Sequence, residues 1–161
     1  MWNKSLSSRV EILVKDEAEG RFIAIKLKSL PKNIVIMCVY FPCLSIIADY
    51  TVNCCNILAL IERTINDNAE SVHIIAGDFN FEYAPGNHGF DLFSGIVDDY
   101  SLRCCDSLNK TLNYTYSHAT LDQRSWLDHF FVTDSFFASV ISCSTLDRGD
   151  NLSDHLPFLC F

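Results

Sequence analysis

Three short polar segments of this sequence hold residue types suited to chemistry. The first is Gly77-Asp78-Phe79-Asn80, directly after the apolar run 72–76. In α/β sheets ligands collect beyond the carboxyl ends of strands, which is where this segment falls. Asp78 and Asn80 are two residues apart and share a face if strand geometry continues through them. A carboxylate there can orient or deprotonate a water, and the amide beside it can hold a phosphate oxygen. The same residues also suit a plain turn, because Asp and Asn favour turns. The second segment is Ser125-Trp126-Leu127-Asp128-His129-Phe130-Phe131. Asp128 interrupts an apolar strand, and a carboxylate buried without a partner is costly. A backbone group or an Arg would satisfy it as well as a site would. His129 points to the opposite face and reads as structural. The third segment is Ser153-Asp154-His155-Leu156-Pro157. If Asp128 reaches His155, the pair fixes the imidazole tautomer and stabilises the charged ring. That supplies a cation or proton donor where a phosphate would lie.

The elements that must position these residues alternate between strand and helix. Residues 9–15 and 22–28 alternate apolar and polar around a charged turn, 16–20, and form a predicted hairpin. Residues 33–41 are almost continuously apolar, which predicts a strand buried on both faces, and Pro42 closes it. Ile47, Tyr50, Cys54, Ile57, Leu58, Ile61 and Ile65 recur at helical spacing. A strand at 72–76 leads into a loop, 77–89. Phe90, Phe93, Ile96 and Val97 mark a short helix, followed by a strand at 101–105. Strands at 114–116 and 126–133 come next. Asp134 and Ser135 cap a helical turn before 140–144, and 156–161 forms a last strand. This order predicts an α/β fold.

The chain has 161 residues, 49% of them hydrophobic, which suits one domain with a real core. The longest apolar run, 34–41, is too short to cross a membrane. The N-terminus shows no signal-peptide pattern. The net charge is −8, from 12 Lys and Arg against 20 Asp and Glu, which disfavours tight autonomous binding of nucleic acid. It is compatible with a site whose carboxylates a metal ion neutralises. The eight cysteines form neither a C-x-x-C pair nor a zinc pattern with histidine. They read as reduced, buried thiols of an intracellular, non-secreted protein, nuclear or cytoplasmic.

Taken in order, Val39-Tyr40-Phe41-Pro42, Gly77-Asp78-Phe79-Asn80, the Ser125-x-x-Asp128-His129 segment and Ser153-Asp154-His155-Leu156-Pro157 resemble the endonuclease/exonuclease/phosphatase superfamily. The resemblance is strongest to the apurinic-type endonuclease domain of non-LTR (LINE-like) retrotransposon polyproteins, and it runs from residue 20 to the end. It implies an α/β fold in the form of a four-layered, two-sheet α/β sandwich. Residues 1–161 would be one partial domain, its C-terminal portion, with the N-terminal strands missing. It implies Mg²⁺- or Mn²⁺-dependent phosphodiester hydrolysis, DNA as partner, and a reverse transcriptase once fused to the domain. Asp78 would position or activate water, and Asn80 would orient that water or the phosphate. Tyr40 would reach the phosphate or the leaving oxygen, and Asp128 would orient His155 to stabilise the transition state. Asn80, Thr115, Ser125 and Ser153 would contact substrate, and Asp154 with Asp78 would hold the metal. The family's early Asn strand and metal-binding Glu have no counterpart. Glu11, Glu17 and Glu19 fall on the following hairpin and do not match that Glu. The alternatives are an inactive remnant, a superfamily phosphoesterase with a non-DNA substrate, and a non-catalytic binding module.

Overall fold

The computed structural model describes residues 7–16, 19–44, 46–109, 111, 113–118, 120–147 and 151–161. Glu17 and part of the predicted charged turn lie outside them. The frame is a six-stranded mixed sheet in the order β1 (Val10–Lys15), β2 (Phe22–Leu27), β3 (Ile34–Tyr40), β4 (Val72–Asp78), β8 (Asp128–Thr133) and β5 (Leu102–Cys104). Only the central β3–β4 pair is parallel. Its crossover is α1 (Ile47–Asn66), whose length comes from the three-and-four apolar spacing. A second helix, α2 (His88–Asp99), begins at Asn87, whose side chain accepts the Gly89 N–H at 3.0 Å.

Both helices cover one face of the sheet. Val35, Met37, Val39, Ile75 and Phe131 pack there against Tyr50, Cys54, Ile57 and Ile61 of α1 and Phe93 of α2. On the other face, β9 (Cys143–Thr145) and β10 (Phe158–Cys160) form a small antiparallel sheet, and Phe158 meets Phe130 edge-on. The turn α3 (Asp134–Phe137) contributes Phe136 and Phe137 to this second cluster. A two-stranded ribbon, β6 (Tyr116–Ser117) with β7 (Arg124–Ser125), precedes β8. The result is an α/β sandwich: a helical layer, the main sheet and a smaller sheet.

Two expectations are corrected here. The apolar run of β3 is buried on one face only: Val35, Met37 and Val39 are core, whereas Cys38 and Tyr40 are exposed. The small sheet stops short of β1–β3, so Ile12 and Ile23 on that face also remain exposed. Apolar continuity showed that β3 is central, but it did not show that both its faces are covered. The cysteines are not all reduced and buried either. Cys143 and Cys160 stand opposite each other across β9 and β10 and form a disulfide. Cys38, Cys43 and Cys55 are exposed free thiols.

Candidate active site

Strand register assembles the site. Tyr40 pairs with Asp78 across β3–β4, and Asp78 pairs with Asp128 across β4–β8. Paired residues share a face, so the three side chains form a row on the face away from the helices. Backbone bonds tie the strand ends together. Phe41 N donates to the Asp78 carbonyl, and Phe79 N to the Leu127 carbonyl, each at 2.8 Å. Gly77 is required here. Its φ of +146° is unusual for an L side chain, and an added Cβ would run into the Val39 carbonyl.

Strand geometry ends at Asp78. Asn80 has a φ of 52°, so a turn, and not strand alternation, brings it back to Asp78. The Asn80 backbone N–H donates to Asp78 Oδ1 at 2.9 Å, and its amide Nδ2 donates to Asp78 Oδ2 at 3.3 Å and to the Phe41 carbonyl at 2.8 Å. Cys43 Sγ donates to Asn80 Oδ1 at 3.2 Å. Phe79 and Phe81, on either side of Asn80, point into the core. Phe79 stacks on Phe41 with centroids 5.2 Å apart and meets Phe93 edge-on at 5.1 Å. Such pairs contribute about 0.5–1.5 kcal/mol each beyond burial, so the loop carrying Asn80 is pinned from beneath.

His155 arrives from the loop before β10. Its Nδ1 lies 2.8 Å from Asp128 Oδ2, and its Nε2 lies 3.8 Å from Asp78 Oδ2. Asp128 can only accept when ionised, so Nδ1 carries the proton and Nε2 faces the cleft. Ser153 Oγ accepts the His155 N–H at 3.1 Å, and Asn151 Nδ2 donates to the His155 carbonyl at 2.7 Å. The Tyr116 ring lies 5.1 Å from the imidazole. Burial holds the Asp78 carboxyl above its ordinary range; the bond from the Asn80 N–H opposes this, and the Asp128 charge adds to it.

The remaining sequence-derived residues divide. Asp154 is exposed at the rim, beside His155. Ser153 is exposed, with its hydroxyl already bonded to the loop backbone. Ser125 is half-buried in β7. Thr115 does not face substrate: it is fully buried, and its Oγ1 accepts the Leu127 and Asp128 N–H groups, each at 3.0 Å. It holds the backbone that carries Asp128. His129, on the opposite face from Asp128, is 1% exposed. Reading along the chain missed Arg21, whose guanidinium lies 5.0 Å from the Tyr40 ring centre, and Asn151. Asn151 carries a weak signal, an amide four residues before His155 in a polar loop.

The donor set suits a hard cation. Two carboxylates, Asp78 and Asp128, share the cleft with one imidazole, and a cation would relieve the crowding that raises Asp78. Mg²⁺ binds with one or two carboxylates while keeping several waters.

An Asp–His pair beside an Asp–Asn turn, on the open edge of a sandwich sheet, places the protein in the endonuclease/exonuclease/phosphatase superfamily. More narrowly, residues 34–159 match the endonuclease-reverse transcriptase family, and the chain belongs to it. Solved structures share the fold. The 3′ phosphatase NExo from Neisseria, bound to product DNA hairpin, is 16% identical with a TM-score of 0.66, over 92% of this chain and 68% of that one. The endonuclease domain of TRAS1, a telomere-specific non-LTR retrotransposon, is 15% identical with a TM-score of 0.65, over 96% and 67%. An endonuclease/exonuclease/phosphatase family protein from Leptotrichia buccalis is 15% identical with a TM-score of 0.59, over 85% and 50%. The chain thus spans between 50% and 68% of the length of these structures. No curated protein matches it. Among the described residues no helix is long and apolar enough to cross a membrane.

Proposed function

We propose that this chain carries the phosphate-handling site of a divalent-metal-dependent phosphodiesterase that nicks DNA. The observation that carries the reading is His155, held by Asp128 on one ring nitrogen and facing Asp78 with the other. A phosphodiester lying over the row of Tyr40, Asp78 and Asp128 would meet a cation at His155 Nε2 and a carboxylate at Asp78. Asp78 takes the proton of the attacking water, and Asn80 holds its carboxylate and offers an amide to a phosphate oxygen. His155 stabilises charge on the pentavalent phosphorus centre, and Asp128 stabilises the imidazolium. Tyr40, 46% exposed at the end of β3, is placed to meet the leaving oxygen. Asp78 and Asp154 would hold Mg²⁺ or Mn²⁺, which supplies neutralisation of phosphate charge. Phosphoryl transfer depends mainly on such positioning and electrostatic stabilisation.

A second reading, phosphoester cleavage in a substrate other than DNA, is favoured by the net charge of −8. Supercoiled-plasmid nicking by the purified chain tests the first reading, with Mg²⁺, Mn²⁺ or EDTA. Metal-dependent nicking should fall by about 10²-fold or more in His155→Ala and Asp128→Asn. Plain duplex DNA should compete, with a steep salt dependence. Equal nicking in all variants would refute the site. No nicking by a folded chain with either metal would mean that the site needs a carboxylate from outside these residues.

A further inference from the structure

A second cluster lies on the other side of the main sheet. Cys104 on β5, Asp106 in the 3₁₀ turn after it (Asp106–Leu108), and His129 on β8 bring their Sγ, carboxylate and imidazole atoms within 4.8 Å of one another. Cys104 pairs with Phe131 across β5–β8, and Phe131 shares a face with His129. The cluster therefore belongs to the helix-side layer. Asp128 and the proposed catalytic cleft are on the opposite face, so the two sites cannot share one ion.

The hydrogen bonds leave a vacancy for a positive charge. His129 Nε2 lies 2.8 Å from the Phe81 carbonyl, which can only accept, so this nitrogen carries a proton. In the neutral ring Nδ1 is then a lone pair, and it lies 2.6 Å from Asp106 Oδ2, another acceptor. A proton or a metal ion must sit between or beside them. The other oxygen, Asp106 Oδ1, is buried and has no donor. A backbone carbonyl fixing one ring nitrogen so that the other can ligate is how metal-binding histidines are oriented.

We propose that Cys104, Asp106 and His129 form a binding site for a borderline transition-metal ion of the Zn²⁺ type. Thiolate, imidazole and carboxylate suit such an ion, and Mg²⁺, which prefers oxygen, does not compete well for them. Three protein ligands leave a fourth position. A cavity of about 270 Å³ lined by Asp106, His129, Glu82, Asn113 and Trp126 adjoins the cluster. Its wall carries a second buried group without a partner, the Trp126 Nε1–H, which a water or anion on the metal would satisfy. Binding forms three coordinate bonds and displaces the Cys104 thiol proton and the proton between His129 and Asp106. Burial and the Asp106 charge push the Cys104 thiol up, so a proton occupies the sulfur when no metal does.

The test uses the EDTA-stripped whole chain and Co²⁺ as a spectroscopic stand-in, followed by Zn²⁺ competition. One Co²⁺ per chain should give a thiolate charge-transfer band that Zn²⁺ abolishes and a tenfold excess of Mg²⁺ leaves intact. The band should be lost in Cys104→Ser and weakened in Asp106→Asn, both checked for native circular dichroism. It should persist in Asp78→Asn, which separates this site from the cleft, and in Cys43→Ser/Cys55→Ser, which removes exposed thiols. A band surviving in Cys104→Ser, or no band in the folded wild type, would overturn the proposal. The latter would leave His129 and Asp106 as a protonated structural pair. None of these outcomes depends on nicking activity.

Discussion

Thr115 is the residue on which the position of Asp128 depends most directly. Its hydroxyl oxygen accepts two backbone N–H groups, those of Leu127 and Asp128, at 3.0 Å each, in a fully buried position. Thr115→Val keeps the shape of the side chain and removes the acceptor. Each buried donor left unsatisfied costs about 1–3 kcal/mol, so the pair should cost roughly 2–4 kcal/mol after partial relaxation. Folded domains are stable by about 5–15 kcal/mol in total. At this chain length the loss corresponds to a fall in Tm of roughly 5–15 °C. Thr115→Ser keeps the acceptor and loses one methyl group, a cost of about 1 kcal/mol. The order of the two variants is therefore diagnostic. If the hydroxyl matters, Val is the worse substitution; if only packing matters, Ser is. Urea unfolding followed by circular dichroism measures both. A Val variant within about 0.5 kcal/mol of wild type, or Ser worse than Val, would refute the reasoning. On the proposed function, metal-dependent nicking should follow the same order, because the same two bonds hold the strand end that presents Asp128 to His155.

Other consequences can be measured on the same protein. Gly77→Ala should leave the chain unable to reach the native fold, because its Cβ has no space beside the Val39 carbonyl and its φ is unfavourable; soluble Gly77→Ala with unchanged unfolding would contradict the register of β3 and β4. Cys54 and Cys105 are fully buried, and burial pushes both thiols up to about 11. Since the thiolate is the reactive form, iodoacetamide at pH 8 should label the exposed Cys43 and Cys55 in the native state and spare Cys54 and Cys105 until denaturant is added. Mass spectrometry of the labelled peptides would show it, and equal labelling rates would count against the packing. The Cys143–Cys160 bond closes a loop with a sequence separation of 17, which should contribute about 3 kcal/mol. Urea midpoints with and without reductant should differ accordingly, and identical midpoints would show that the link adds nothing.

What could be read in the sequence, and what could not, follows from the range of the interactions involved. The strands and helices around the cleft were legible because each is set by local periodicity. Asp78, Asn80, Asp128 and His155 stood out because polar residues at the ends of apolar strands interrupt that periodicity. Their meeting was harder to read. Asn80 reaches Asp78 through a residue with positive φ, which a pattern of alternation cannot express. Thr115 gave no sign of its burial, since a threonine between two tyrosines fits an exposed strand as well as a buried one. Its role appears only when Leu127 and Asp128 are folded over it. The partner of His129 is Asp106, 23 residues away in a turn, so the histidine could be read as structural but not paired. The disulfide was within reach. Segments 140–144 and 156–161 were both read as strands, and pairing them antiparallel across a turn sets Cys143 opposite Cys160. The step missing was register, which a long polar loop does not fix as a two-residue hairpin turn would. The half-covered face of β3 is the opposite case. An apolar run records what a strand is made of, whereas burial depends on a second layer, and here that layer reaches β8 but stops before β3.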